Sequence, residues 1–512
     1  MMKFAFDSAI FFAFIAVHAW TKGNVAAAPM GYLKENILDG CFTEEVKPDT
    51  DLFPLKYRKP FINSYGEVDI FGDKFVPHNT TDLLEITYHK TYKIVTNHFQ
   101  NKSYLLYQCG TEPPQYEVDS GRHHLILPVP HKGGVAITET PQIPPMELLG
   151  LRQEIVAYIG DPQWVSSPCM IHMMEEGTIE TVWEGYNSTL QAAATAEWLA
   201  RHPDAIIFGG PYGDDDGDRV MSVAASLERT NVATFDWIAM YAALFNMEGL
   251  SNKITSDTKA SYDCSSSNAR ILAKQEQLQG SRFLVEEEDG EDDECTTRPV
   301  ILWANWIEGY NWSVAECPTW DTTYYCEYAA HCDADIISRP EGLGWNNPDY
   351  GGRFWYLNDD EMYELGKDAD VWIYASQFWD NMYPKKKELV DKFKSVMNQQ
   401  VYDTQGMGPN SWYEQRLAEY DVVGLDICDI VGNANQNGVP HKRRWLRNIF
   451  AGPIGGLPEC RIPEELFEPY IQGGAECVSL ELEAKDGSRA NILASNNFMA
   501  IFLFIILTAV AF

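Results

Sequence analysis

Short apolar runs alternate with helix-forming stretches along most of the chain, and this alternation restricts the fold more than any other feature. Buried strands are predicted at residues 134–138, 154–159, 204–208 and 220–224, with helices at 145–149 and 189–201. Short connections between such strands and helices are typical of a parallel sheet covered by helices. The first half of the chain therefore predicts one α/β lobe.

A second α/β region follows a long stretch of helix-forming sequence at residues 233–279. Its predicted strands are 300–304, 369–374, 400–402 and 420–424, and its helices are 385–398 and one near Trp412. A mature chain of about 460 residues is too long for one core. We therefore predict two parallel-sheet lobes joined by a long helical connector.

The two ends carry processing signals. Lys3, an apolar run and small residues before position 29 are typical of a secretory signal peptide. At the other end Asp486, Gly487 and Ser488 precede a polar spacer of about ten residues and an apolar tail, which is the layout of a glycolipid (GPI) attachment signal. The anchor is predicted at Ser488 or Asp486, on the outer face of the plasma membrane. A C-terminal membrane helix is the alternative, but the apolar run is short for one.

The predicted organisation follows from these patterns. A β-rich N-terminal extension is expected to hold strands at 84–88, 92–96 and 104–108. The full division is signal peptide 1–28, N-terminal extension 29–118, N-terminal lobe 119–230, connector 231–284, acidic loop 285–298, C-terminal lobe 299–465, spacer 466–488 and propeptide 489–512.

Cysteines, sequons and charge all fit an exported protein. Eleven cysteines should be mostly paired, with one left over. A local bridge is expected among Cys317, Cys326 and Cys332, and Cys264 with Cys295 would clamp the acidic loop. The net charge of −35 argues against nucleic-acid binding. Glycosylation is predicted at four sequons, Asn79, Asn101, Asn187 and Asn311.

The order of motifs resembles a known family. Residues 135–151, which end in Glu147-Leu148-Leu149-Gly150, and the strand at 154–160 resemble the opening of the class III periplasmic substrate-binding proteins. Residues 369–373 resemble the aspartate and buried strand of that family's second lobe, and residues 412–429 resemble a later unit introduced by a strand. The resemblance covers about residues 130–455 and implies a rigid connector and a ferric siderophore, haem, cobalamin or metal as ligand. The N-terminal extension, cysteines and glycolipid signal depart from the bacterial pattern.

The ligand site is predicted in the crevice at the carboxyl ends of the strands. Tryptophans in those loops could stack on a flat chelate, and nearby charged groups could bind its polar parts. Loops 138–142, 209–212, 228–230 and 403–412 are among those selected. The candidates are Glu139, Trp164, Tyr212, Glu228, Arg229, Trp306, Tyr310, Trp345, Trp379 and Asp403.

Three functions remain open from the sequence. The first is capture of an iron chelate at the cell surface for uptake, with no intrinsic cofactor and with a membrane transporter or endocytic receptor as receiver. The second is direct binding of Zn, Mn or Fe through histidines and carboxylates, for which His172 and His331 are the metal candidates. The third is a secreted glycan hydrolase or an adhesion protein. No catalytic motif is found, so we predict a binding protein and not an enzyme.

Overall fold

The computed structural model describes residues 36–43, 81–89, 91–212, 217, 219–283, 298–315, 317, 324–338, 344–346, 354–434, 440–460, 463–466, 468–473, 477–482 and 492–494. The predicted signal peptide, the glycolipid signal, Asn79 and Cys295 lie outside these residues, as does nearly all of the acidic loop.

The N-terminal extension forms a four-stranded sheet together with β4, which lies just beyond its predicted end at residue 118; the order is β1-β2-β3-β4. The first three strands are antiparallel and the fourth is parallel to the third. Buried Lys93 of this sheet binds Glu248 and Asn246, so the sheet is joined to the connector by an ion pair with no exposed side-chain atoms. The elements are β1 (Leu84–Tyr88), β2 (Tyr92–Asn97), β3 (Lys102–Gln108), α1 (Gln115–Asp119) and β4 (Leu125–Val129).

The first lobe is a five-stranded sheet in which all the strand pairs are parallel. Its strand order is β7-β6-β5-β8-β9, so the chain reverses direction beside β5 and opens a crevice at the carboxyl ends. The elements are β5 (Val135–Ile137), α2 (Ile143–Leu148), β6 (Ile155–Tyr158), α3 (Pro168–Glu175), β7 (Glu180–Thr181), α4 (Ser188–Arg201), β8 (Ile206–Gly209) and β9 (Val220–Ser222).

Three consecutive helices form the connector, namely α5 (Asn231–Asp236), α6 (Ile238–Phe245) and α7 (Glu248–Phe283). Every residue of α6 is buried, which fits its uniformly apolar sequence. Asn246 adopts a left-handed conformation and ends this helix. Ion pairs spaced four residues apart, Lys253 with Asp257 and Lys259 with Asp263, stabilise the exposed face of α7.

The second lobe is a mixed sheet in the order β13-β14-β11-β10-β15-β16-β17. Parallel pairs join β10 to β15 and β15 to β16, and β12 also pairs with β10 in parallel. The elements are β10 (Val300–Ile307), β11 (Asn311–Ala315), α8 (Tyr324–His331), β12 (Asp335–Ile336), β13 (Trp345–Asn346), β14 (Phe354–Leu357), α9 (Asp359–Gly366), β15 (Val371–Tyr374), α10 (Trp379–Val390), α11 (Lys394–Met397), β16 (Val401–Asp403), α12 (Ser411–Glu414), α13 (Tyr420–Ile430) and β17 (Arg447–Asn448).

The prediction of a strand at 420–424 was wrong, because these residues begin helix α13. Nearly all of the helix is buried, including Asp421 and Asp426, and it packs against α7 and α8. Gly424 permits this packing, since a Cβ atom there would lie 2.8 Å from the ring of Tyr262. Tertiary burial therefore overrides the strand preference of the two valines.

Five disulfides lie in the described residues: Cys41–Cys109, Cys169–Cys460, Cys264–Cys477, Cys317–Cys326 and Cys332–Cys428. The local bridge is confirmed as Cys317–Cys326. The pairing of Cys264 with Cys295 was wrong, because Cys264 binds a cysteine far along the chain.

The described residues 460, 463–466, 468–473 and 477–482, called here the C-terminal strap, run back across the molecule after the second lobe. The strap is bonded to α3 by Cys460 and to α7 by Cys477. Between these bridges Arg152 of the first lobe donates hydrogen bonds to three strap carbonyls, including that of Leu466 at 2.8 Å. The short strands β18 (Leu480–Leu482) and β19 (Ile492–Ala494) pair at its end. The predicted fold class, two parallel-sheet lobes with a long helical connector and a β-rich N-terminal extension, is confirmed.

Within the described residues, every helix is too short or too polar to pass through a bilayer.

Candidate functional site

A cavity of about 330 Å³ lies between the two lobes and the connector. The first lobe contributes the segments that follow β5 and β9, the connector contributes α5 and α6, and the second lobe contributes α8 and residues 413–418. The carboxyl ends of first-lobe strands therefore open on this cavity, as expected for a ligand site in an α/β fold. Its walls include Pro141, Pro144, Phe235, Trp237, Tyr241, Tyr324, Tyr413 and Leu417.

The turn after β5 orients a buried amide towards the cavity. Glu139 caps a 3₁₀ turn at Thr140–Gln142, and the Oε1 atom of Gln142 accepts hydrogen bonds from Thr138 N at 2.9 Å and Glu139 N at 3.3 Å. These two bonds fix the orientation of the amide. Its Nε2 atom has no partner among the described residues although the residue is 2% exposed. This donor lines the cavity and is available to an acceptor on a bound molecule.

Glu228, which follows β9, lines the same cavity. Its Oε1 atom accepts hydrogen bonds from Trp237 Nε1 at 2.9 Å and from Leu83 N at 3.3 Å. Burial raises the pKa of Glu228 above its ordinary value, although these hydrogen bonds act in the opposite direction. Glu228 thus holds Trp237 in the cavity wall and also ties the wall to the N-terminal sheet.

Arg416 supplies the positive charge of the site. Its guanidinium lies over the ring of Tyr324 at 4.0 Å and over that of Trp412 at 5.2 Å. In the part of the chain that the structure describes, its Nε and Nη1 atoms are buried without a hydrogen-bond partner, and no carboxylate pairs with it. A guanidinium held in place by aromatic rings and left without an anion is suited to bind one.

The two lobes also meet directly beside the cavity. Glu414, in α12, accepts hydrogen bonds from Ser166 N and Ser167 N of the first lobe, each at 2.7 Å. Gln415 Nε2 donates to Glu414 Oε1 at 2.8 Å and to Glu147 Oε2 at 3.4 Å. Burial, together with the charge of nearby Glu147, raises the pKa of Glu414 to about 8, although the hydrogen bond from Ser166 acts in the opposite direction.

Two of the ten candidates for ligand binding, Glu139 and Glu228, line this cavity. Arg229 follows Glu228 directly in the chain. None of the four candidate tryptophans is among the described lining residues. Trp164 and Tyr212 are exposed on the first lobe, and Tyr310 and Trp345 pack on Tyr356 in the β13-β14-β11 part of the second sheet.

The other candidates have local partners. Trp306 lies beneath Lys385 at 5.1 Å. Trp379 is 6% exposed and packs against Tyr374 and Tyr383 in the second core. Asp403 is fully buried and pairs with Arg447. These residues thus contact their local neighbours and are not among the described residues that line the cavity. Their roles in ligand binding stay predictions.

The metal candidates lie apart from the cavity and from each other. His172 is partly exposed and lies 3.3 Å from Glu176. His331 is buried, stacks on Tyr262 at 3.8 Å and shares a hydrogen bond of 2.9 Å with Ser265. Burial lowers the pKa of His331 to about 3. His331 comes near Cys332 and Cys428, but their sulfurs are joined in a disulfide.

Three predicted glycosylation sites, Asn101, Asn187 and Asn311, are exposed, although attachment of glycans stays a prediction.

Sequence reasoning missed the residues that form most of the cavity. Gln142 falls in the selected loop 138–142 but was not chosen, and the selected loop 403–412 stops four residues before Arg416. Trp237 was assigned only to the connector. The one available signal was position: Gln142 follows a strand and Trp237 lies at the start of the connector, whereas Arg416 lies well beyond the end of β16 and gave no such signal.

Comparisons with known proteins give structural matches only. No family model and no curated protein matches the chain. A periplasmic haem-binding protein of Vibrio cholerae is 13% identical, with 56% of this chain and 99% of that chain covered and a TM-score of 0.34. A periplasmic haem-binding protein of Pseudomonas aeruginosa is 10% identical, with 61% and 96% covered and a TM-score of 0.37. A periplasmic vitamin B12-binding protein of Vibrio cholerae is 10% identical, with 60% and 98% covered and a TM-score of 0.34.

Proposed function

We propose that the chain is a cell-surface binding protein that captures a small ligand in the inter-lobe cavity for uptake. The observation that carries the proposal is the guanidinium of Arg416, which pairs with no carboxylate of the described residues, at a cavity with aromatic and proline walls. The cavity volume lies within the range of about 300–1,000 Å³ that is usual for small-molecule sites.

The ligand we propose is an iron chelate, such as a siderophore, haem or a related metal complex. Acidic groups of a chelate would meet Arg416, an oxygen acceptor would meet Gln142 Nε2, and a flat body would pack on Trp237 and Tyr324. The family resemblance of residues 130–455 favours the same class of ligand. Export, glycosylation and the glycolipid anchor belong to the proposal and rest on the sequence alone.

Binding is proposed in preference to catalysis. Glu139 and Glu228 both face the cavity, but Glu228 already accepts two hydrogen bonds through one oxygen, and Glu139 caps its own turn. Both carboxylates therefore have structural roles within the wall. No intrinsic cofactor is included in the proposal.

The test is a titration of the protein, expressed in a eukaryotic host, with ferric siderophores, haem and cobalamin while tryptophan fluorescence is followed. Trp237 lies in the wall and should be quenched on binding. Arg416→Ala should weaken binding about tenfold or more, because a hydrogen bond to a charged group contributes about 1.5–3 kcal/mol. Arg201→Ala is the matched control, since Arg201 pairs with Glu180 on the surface.

Affinity weaker than micromolar for every chelate would contradict the proposal, as would equal binding by the Arg416 variant and the control. Thermal stabilisation by a free metal alone would favour the direct-metal alternative through His172 or His331.

A further inference from the structure

A second group of chemically reactive side chains lies on the N-terminal sheet, outside the cavity. Tyr92 begins β2, and Tyr116 and Glu117 belong to helix α1. The two phenol oxygens are in hydrogen-bond contact, and Tyr92 Oη lies 3.5 Å from Glu117 Oε1. The rings meet edge to face with centroids 6.4 Å apart. Three oxygen atoms therefore converge at one point.

The carboxylate in this group is fixed by hydrogen bonds to the oxygen that faces away from the tyrosines. Glu117 is 3% exposed, and its Oε2 atom accepts hydrogen bonds from His123 Nε2 at 2.9 Å and from Arg122. His123 Nδ1 in turn lies 2.9 Å from Ser103 Oγ. Although burial raises the pKa of Glu117, the bonds from His123 and Arg122 lower it below the ordinary value overall. The remaining carboxylate oxygen of Glu117, Oε1, is directed at the tyrosines.

We propose that Tyr92, Tyr116 and Glu117 form a binding site for a bare ferric ion. Carboxylate oxygens suit hard cations, and tyrosine phenolate is an established protein ligand of iron. Binding would form two phenolate–iron bonds and one carboxylate–iron bond. The two phenolic protons would pass to solvent, the iron would remain ferric, and water would fill the remaining positions.

The surroundings of the three oxygens fit this use. His123 and Arg122 bind the far oxygen of the carboxylate, which is how protein metal ligands are usually oriented. Tyr116 is 65% exposed whereas Tyr92 is 5% exposed, so the group opens to solvent on one side and is fixed on the other. The net charge of −35 favours accumulation of cations near the surface.

This inference goes beyond the proposed chelate site, because it concerns a different ligand on a different sheet. None of the described residues that line the cavity belongs to this group. The two sites can therefore be tested separately in the same protein.

The test uses the purified full chain and ferric nitrilotriacetate as iron donor. A visible phenolate-to-iron charge-transfer absorption should appear and saturate. Tyr92→Phe and Tyr116→Phe should each abolish the absorption or lower the apparent affinity at least about tenfold, because each removes one bond to iron. Glu117→Gln, which keeps both phenols, should weaken it similarly. Tyr186→Phe is the matched control, since Tyr186 is 81% exposed and also donates a hydrogen bond to a carboxylate, that of Asp161, at 3.0 Å.

Two results would overturn the inference. One is no absorption in the unaltered protein. The other is an absorption that survives in both tyrosine variants and in Glu117→Gln, with circular dichroism showing that all of them fold. If the absorption is instead lost in Arg416→Ala, the iron is held as a chelate in the cavity, which supports the proposed function and refutes the second site. If the absorption is retained in Arg416→Ala and lost in the tyrosine variants, the second site is supported.

Discussion

The contact between Glu414 and the first lobe should make stability depend on pH in a specific way. Its carboxyl is buried, and it faces Glu147 and Tyr158 of the first lobe as well as the two serine N–H groups. Arg152 is nearby but is hydrogen-bonded to Glu147. Burial raises the pKa from 4.5 to about 8, with Glu147 adding to the shift. The perturbation we suggest is Glu414→Gln, which keeps the shape and removes the titration.

The sign follows from the raised pKa. Below pH 4.5 the group is protonated in both the folded and the unfolded chain. As the pH rises towards 8, the unfolded chain loses this proton while the folded chain keeps it, so stability falls. Each pH unit costs about 1.4 kcal/mol, which gives about 3 kcal/mol between about pH 5.5 and pH 7.5.

The assay is chemical denaturation at several pH values in this range with the disulfides intact. As the pH rises, the free energy of unfolding of Glu414→Gln should increase steadily relative to that of the unaltered protein. The hydrogen bond lost in the variant adds only an offset that does not depend on pH. Glu327 and Asp421, whose pKa values burial raises to about 7 and about 6, contribute equally to both proteins and cancel. Parallel pH profiles for the two proteins would refute the reasoning. Exposed Glu176→Gln serves as the control.

Two further predictions concern stability. Lys93→Met should lower the free energy of unfolding by about 3–5 kcal/mol, because it leaves the carboxylate of Glu248 buried without its cationic partner. Lys253→Met, which breaks an exposed ion pair, should change the free energy of unfolding by less than about 1 kcal/mol. Equal effects of the two substitutions in thermal denaturation would contradict the role of burial. Replacing both Cys169 and Cys460 with serine should cost about 2–5 kcal/mol, since the bridge closes a separation of 291 residues; an unchanged denaturation midpoint would show that the strap is held by its hydrogen bonds alone.

The strands and helices were largely predictable where local pattern and burial agree. The strand at Leu84–Tyr88 alternates buried and partly buried residues, and the helix at Ser188–Arg201 follows from its alanine-rich sequence and its Asn187 cap. Helix α13 was predicted wrongly because it is buried on nearly all sides, which removes the helical period of exposed polar residues that distinguishes helix from strand. The disulfide between Cys264 and Cys477 could not be predicted, since connectivity depends on the path of the strap.

The residues that line the cavity could be predicted from the sequence only in part. Position at strand ends selected Glu139 and Glu228, because the topology of an α/β sheet places those loops at the crevice. The choice of tryptophans, made because an indole can stack on a flat ligand, was less successful, since these side chains pack against other protein residues, as Trp379 does in the core. Arg416 follows helix α12 and reaches the cavity only because Tyr324 and Trp412 hold its side chain, and such contacts arise between elements far apart in sequence.

The strap also decides how the molecule would respond to being pulled from its C-terminal side. A tension applied beyond residue 482 acts on hydrogen bonds of Leu480 and Val478 with Asn268 and then on the covalent bridge from Cys477 to Cys264, which passes it to the long helix α7. The strap upstream of Cys477, with the cavity-lining residues it contacts near Ala418, is then shielded from the pull. A protein held by its tail in moving fluid could thus be stretched at its attachment without deformation of the cleft.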